Sequence, residues 1–402
     1  MISNIVLGML TCLTNWSGRL QLYLLNNFFR TRCKEFWTEY LNKVDIQVNG
    51  DRPWDIQIHH EDVYTRALDG LGMGETYMEG LWDCADLAGL FTRALSGKQS
   101  DILKLCQNPI LRFKNFVECS LLNLQTKERA KDNVKAHYDL GNDLFEAMLD
   151  SSMTYSCAYW KTADNLEDAQ FDKMELIAKK LNLLPGTTVL EIGCGWGGLA
   201  RHLAKHYGVS VTGITVSKEQ ALYAEKLCTD LPVKIELLDY RDVVGTFDRI
   251  VSIACLEHIG SRNYDTFFDK VHKCLKDDGL FLLHSGGINH HGLPRAGPWI
   301  SKYIFPGGQM PYYKEITNVI EKRFIIEDWQ NIGFDYSKTL AAWYANFSKN
   351  WDKLRPKYGD KFERMWTYYL QMCNGLFQAR LIQVWQIVLS KNGVKGGYYG
   401  GR

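Results

Sequence analysis

From residue 187 onward the chain alternates short apolar runs with longer segments in which apolar residues recur every three or four positions. The runs "TTVLEIG" (187–193), "VSVTGIT" (209–215), "VKIELLD" (233–239), "DRIVSIA" (248–254) and "GLFLLHS" (279–285) are rich in aliphatic and β-branched residues and predict strands. Residues 197–207, 217–229 and 262–276 carry the helical spacing and lie between them. Near-continuous apolar strands separated by helices predict a parallel sheet covered on both faces. In such a sheet a ligand sits beyond the carboxyl ends of the strands.

The first part of the chain is patterned differently. "IQVNGDRPWDIQIHHEDVYTRALDGLGMGETYMEG" mixes alternation at Ile56 and Ile58 with glycine turns, which predicts a small α+β domain over residues 1–105. A linker, residues 106–130, shifts from apolar to charged, and residues 131–402 form the second domain. Within it, residues 287–380 are too aromatic and too long for a crossover, so part of them is expected to line an apolar channel. The apolar stretch within residues 1–16 is too short to cross a bilayer and lacks the basic start of an export signal. Residues 20–29, followed by "RTRCK", suit either an amphipathic helix on a lipid surface or a helix packed on its own domain.

Charge and cysteine usage narrow the function classes. The 47 Lys plus Arg residues nearly cancel the 46 Asp plus Glu, so no global field draws the 402-residue chain to nucleic acid. Membrane contact must then be local and largely apolar. The 11 cysteines are scattered without a CxxC pair, as expected of reduced thiols in a cytoplasmic protein, and no metal site is expected. The pairs His59/His60 and His290/His291 are adjacent residues that point different ways.

Gly193, Gly195 and Gly198 satisfy G-x-G-x-x-G after the first strand of the second domain. A dinucleotide site would need an acid about twenty positions on, at the end of the next strand. That strand ends at Ile214 and Thr215, and the next acid, Glu219, lies inside a helix. Glu191 instead stands two residues before the first glycine, which suits a ligand with no phosphate to repel and a cationic centre nearby. S-adenosylmethionine has both properties and is favoured over a dinucleotide.

The motifs "HYDLGNDLFEAMLDSSMTYSCAYW", "LEIGCGWGGLA", "VTGITVSKEQ", "DRIVSIACLEHIG", "WISKYIFPGG", "LAAWYANF" and "YYLQMCNGLFQARLIQVWQ" resemble those of cyclopropane-fatty-acyl-phospholipid synthases, relatives of the mycolic acid cyclopropane synthases. The likeness spans roughly residues 130–390, and "GLGMGETYMEGLWDCADL" resembles the lipid-engaging domain of the phospholipid-acting branch. The resemblance implies a Rossmann-like S-adenosylmethionine-dependent methyltransferase domain behind a smaller α+β domain. It also implies transfer of the sulfonium methyl to a cis double bond of a phospholipid acyl chain, followed by ring closure, with a branched methyl product as the alternative. By the same resemblance, Tyr155, Ser156, Gly193, Gly195, Thr215, Val216, Gln220, Asp239 and Tyr240 would bind the cofactor beside Glu191. A bicarbonate ion would act as base in a cradle of Cys157, Glu257, His284, Gly286 and Tyr344, with Cys157 and Gly286 acting through main-chain groups. The family often has a larger apolar residue at the Gly286 position. Cys373 matches a cysteine once regarded as the nucleophile, although methyl transfer to an alkene needs no covalent enzyme intermediate. A homodimer bound peripherally to the inner face of the membrane is implied on the same grounds. Glu257 and His284 follow the fourth and fifth predicted strands, at the end of the sheet where a ligand is expected.

Overall fold

The computed structural model describes residues 30–68, 70–96, 125–127, 129, 140–290 and 297–400. The helix expected within residues 20–29 and most of the linker lie outside them. The first region contains α1 (Arg30–Lys43), β1 (Gln57–Ile58), α2 (Asp62–Arg66), α3 (Gly72–Met78), β2 (Trp82–Asp83) and α4 (Leu87–Leu95). β1 and β2 pair antiparallel, giving the mixed character that the alternation and turns suggested. Asp86 caps α4 by accepting from the Gly89 N–H.

The second region opens with α5 (Asn142–Met148) and α6 (Leu166–Lys180). Strands and helices then alternate: β3 (Thr188–Ile192), α7 (Gly198–Tyr207), β4 (Ser210–Thr215), α8 (Lys218–Leu227), β5 (Val233–Leu237), β6 (Phe247–Ile253), α9 (Tyr264–Cys274) and β7 (Leu275–Ile288). All five strands fall where the apolar runs predicted them. After β7 come α10 (Pro298–Tyr303), α11 (Tyr313–Glu321), β8 (Ile325–Asn331), α12 (Gly333–Tyr358), α13 (Asp360–Gln378) and β9 (Ile382–Ser390). The sheet has the order β5-β4-β3-β6-β7-β9-β8. The first five strands are parallel, and β9 enters antiparallel between β7 and β8. The chain order therefore reverses between β3 and β6, and a crevice opens beyond the carboxyl ends of the strands at that point.

Neither β8 nor β9 follows from simple patterning. In β9 every residue is buried, yet Gln383 and Gln386 interrupt the apolar run. In β8 the Asp328 carboxylate is buried because Lys180, itself fully buried on α6, lies 3.0 Å away. A buried charge pair of this kind costs desolvation and is kept only when each charge has its partner.

α12 and α13 are packed against each other, with Gly359 between them in a left-handed conformation that stops one helix and starts the next. The first region docks on α13. Arg364 bonds the carbonyls of Tyr77 and Trp82 and the Asp83 carboxylate, and α4 lies across Gly375. A Cβ at Gly375 would stand 2.5 Å from Phe91 Cβ and 3.0 Å from the Ala88 carbonyl oxygen. Gly375→Ala is expected to cost about 1–3 kcal/mol through overpacking, read as a lower denaturant midpoint with an unchanged slope. No helix among the described residues is long and apolar enough to cross a membrane.

Candidate functional site

A cavity of about 170 Å³ lies at the crevice, and every residue expected from the sequence to bind the cofactor lines it. The turn after β3 explains the glycines. Gly193 and Gly195 have φ of +82° and +53°, and no atom lies within 4 Å of a Cβ placed on Gly195. The space a side chain would occupy is left to a ligand. After β4, Thr215 Oγ1 donates to Gln220 Oε1 at 2.9 Å, and Ser217 caps α8, so these buried groups are locked in one arrangement. After β5, the buried Asp239 carboxylate accepts from Arg241, whose guanidinium also lies 4.5 Å from the Tyr240 ring centre.

The floor of this cavity combines Glu191 with a residue that motif reading missed. Lys173, fully buried on α6, lines the cavity and donates to Ser156 Oγ at 2.8 Å. Burial pushes Glu191 up to about 8, against the pull of Lys173. Its Oε2 has no hydrogen-bond partner.

A second cavity of about 400 Å³ adjoins the first. Its wall is built by two periodicities. Strand alternation turns His284, Gly286 and Ile288 of β7 and Ile382 and Val384 of β9 to one face. Helical spacing does the same for Met372, Cys373, Leu376 and Phe377 on α13, and for Phe91 and Leu95 on α4. The amino-terminal region thus supplies part of this wall. Tyr155, Ala254 and His258 border both cavities and mark where they meet. Ala254 sits there with φ of +50°, an uncommon backbone state for a residue with a Cβ, and its N–H is held by the His284 carbonyl.

The polar groups of the second cavity gather beside this junction. Glu257 lies in a single 3-10 turn, Leu256–His258, after β6. Its Oε1 accepts from the Gly286 N–H, and its Oε2 is buried without a partner. Burial pushes the carboxyl up to about 7, well above the ordinary carboxylate range. His284 is held well below its usual range by burial and by the field of Lys173 and Lys180, and so is neutral. Gln386, its cross-strand partner on β9, lies 3.3 Å from Nδ1, and an amide N–H donated there leaves Nε2 to carry the ring proton. Burial alone pushes His258 down to about 4.

The structure brings four of the five expected cradle residues, Cys157, Glu257, His284 and Gly286, to this cavity and places Tyr344 outside it. Gly286 lines the second cavity, its N–H donating to Glu257 and its carbonyl accepting from the Ser285 hydroxyl. Tyr344 lines neither cavity, and its ring is part of the packing near Tyr77. The tyrosine that does line the second cavity is Tyr336, earlier on the same helix, with its ring 4.6 Å from Phe377 and within the electrostatic reach of Glu257 and Cys157. Cys157 and Cys373 also line the cavity. Burial pushes the Cys373 thiol up to about 12 and the Cys157 thiol well above its ordinary value, which leaves neither as a thiolate nucleophile at neutral pH.

Residues 125–387 match the family model described as mycolic acid cyclopropane synthetase. The cyclopropane-fatty-acyl-phospholipid synthase of Escherichia coli (strain K12) is 48% identical over 361 residues, covering 89% of this chain and 93% of its own. The solved structure of the cyclopropane synthase MmaA2 from Mycobacterium tuberculosis aligns with a TM-score of 0.62 at 34% identity, covering 67% of this chain and all of that one. Mycolic acid cyclopropane synthase CmaA1, solved with SAH and CTAB, aligns equally well, at 34% identity and TM-score 0.62, over 65% of this chain and 98% of its own. A cavity over a glycine turn that holds charged side chains, adjoining a more apolar one at the end of a parallel sheet, is thus joined to sequence identity over nearly the whole chain, and the protein belongs to the mycolic acid cyclopropane synthetase family.

Proposed function

We propose that this protein transfers the methyl group of S-adenosylmethionine to a cis double bond in a phospholipid acyl chain and closes the product to a cyclopropane. One observation carries the reading. A cavity lined by the residues expected to bind the cofactor and a larger, more apolar cavity meet at Tyr155, Ala254 and His258, and Glu257 and His284 stand on the more apolar side of that boundary. The 48% identical relative bears the name of this activity.

The alkene is a weak nucleophile, so the protein must hold it in line with the methyl carbon. Positioning of this kind can supply roughly 7–11 kcal/mol of the barrier. The apolar walls also keep water from the cation that forms on the chain, which would otherwise end as an alcohol. The rings of Tyr336, Phe377 and Phe305 in the wall can stabilise that cation by about 0.5–2 kcal/mol. An acyl chain leaves one apolar medium for another when it enters, so the roughly 0.8 kcal/mol per methylene gained on leaving water is not available to drive binding. The same balance lets the product depart.

The added carbon must lose a proton. Bicarbonate would fit as the base beside Glu257, His284 and Tyr336, which line this cavity, because the buried Glu257 Oε2 has no partner and could accept the ion's O–H. That ion would supply a small anion whose two unprotonated oxygens can accept the proton. Glu257, poised near 7, and neutral His284 hold and move the proton at its edge. The substrate, an unsaturated phospholipid at a membrane surface, and a homodimeric state belong to the same proposal. Incubation with S-adenosylmethionine and vesicles of cis-unsaturated phospholipid should add one methylene with loss of the olefin, read by mass spectrometry. An unchanged mass across several lipid compositions rejects the reading.

A further inference from the structure

We infer that Lys173 is the cation of the subsite for the amino-acid head of the cofactor, holding its carboxylate through Ser156 while Glu191 takes its ammonium group. This rests on the cofactor reading above. Lys173, Ser156 and Glu191 line one cavity, and each is buried. The two charged groups are unequally served. Asp150 and Glu191 are the carboxylates that act on Lys173, but the Asp150 oxygens are taken by the Ser152 and Thr154 N–H groups and the Ser152 hydroxyl. Lys173 itself reaches Ser156 Oγ, and Glu191 Oε2 is left without a partner.

A buried charge short of partners is costly, and a ligand carrying the opposite charge relieves that cost. A zwitterion relieves both at once. An α-amino acid end presents a carboxylate and an ammonium a few ångströms apart, matching a cation relayed through a hydroxyl on one side and a free carboxylate oxygen on the other. Burial drives Lys173 down and Glu191 up, each to about 8, as expected of two groups whose charged forms are incompletely compensated. Support of the loop that carries Tyr155, Ser156 and Cys157 does not require the ammonium. Gln170, three residues earlier on the same helix, already bonds the Thr154 and Ser156 carbonyls at 3.1 and 3.0 Å.

The test compares two ligands on the full chain by calorimetry. S-adenosylhomocysteine has the amino-acid head; 5′-methylthioadenosine keeps the nucleoside and thioether but lacks it. Lys173→Met is expected to weaken S-adenosylhomocysteine about tenfold to a hundredfold, the range for losing a charge-assisted hydrogen bond, and to leave methylthioadenosine within about twofold. Ser156→Ala, which removes only the relay hydroxyl, should show the same selectivity at smaller size and decides the matter if the lysine variant does not fold. Equal losses for the two ligands, or unchanged affinity for S-adenosylhomocysteine, overturn the inference. Failure of the parent chain to bind S-adenosylhomocysteine overturns the cofactor reading itself.

Discussion

Glu257→Gln should lower turnover by about 10²–10⁴-fold, the range for removing a positioned proton-transfer group, with cofactor affinity unchanged. The amide keeps the acceptor oxygen for the Gly286 N–H, so the local geometry survives. It removes a buried carboxyl beside the junction that is poised near 7 and whose second oxygen has no hydrogen-bond partner. Single-turnover rates against calorimetric affinity check both halves. The same variant carries a stability signature with a fixed sign. Because burial raises the carboxyl from its ordinary 4.5 to about 7, the folded state binds that proton more tightly than the unfolded chain. The associated stability is full below 4.5 and is lost as pH rises through 7, amounting to roughly 3–4 kcal/mol. Gln is neutral throughout, so the melting temperature of the variant relative to the parent should climb between pH 5 and pH 8.

Tyr336→Phe is expected to reduce turnover by about 10²-fold or more, whereas Tyr344→Phe should leave it within about threefold. Both are conservative truncations on α12, and they differ in where the lost hydroxyl points. Tyr336 faces the cavity that holds Glu257 and His284, and Tyr344 packs outside it. A helix turns 100° per residue, so eight positions carry a side chain about 80° around the axis and about 12 Å along it. One residue cannot substitute for the other. Steady-state rates of the two variants on identical vesicles separate them, and a large loss at Tyr344 with none at Tyr336 would invert the assignment.

That pair also shows where reading residues in one dimension runs out. Tyr336, Trp343 and Tyr344 crowd one helix, and a matching motif does not say which of its aromatic faces meets the cavity. The strand ends were far more legible. Glu191, Thr215, Asp239, Glu257 and His284 each sit at or just beyond the carboxyl end of a patterned strand, and parallel order alone brings those ends together. Lys173 escaped notice because a lysine on a helix reads as a solvated face. Its burial depends on the loop at Ser156 folding over it. Phe91 and Leu95 lie some 280 residues from the α13 side chains they meet, and only docking across Gly375 reveals them as cavity wall. Gln386 broke the apolar pattern of β9 for a reason seen only in register, because it stands opposite His284 and lies within hydrogen-bond distance of its Nδ1.

Every step depends on the added methyl carbon giving up one hydrogen inside a dry cavity. Incubating the protein with a cofactor whose transferred methyl carries three deuterons, together with vesicles of cis-unsaturated phospholipid, reads that loss directly. Product acyl chains that retain two deuterons and no olefin are the expected result. Chains that retain all three deuterons, as a methyl-branched product does, would contradict it.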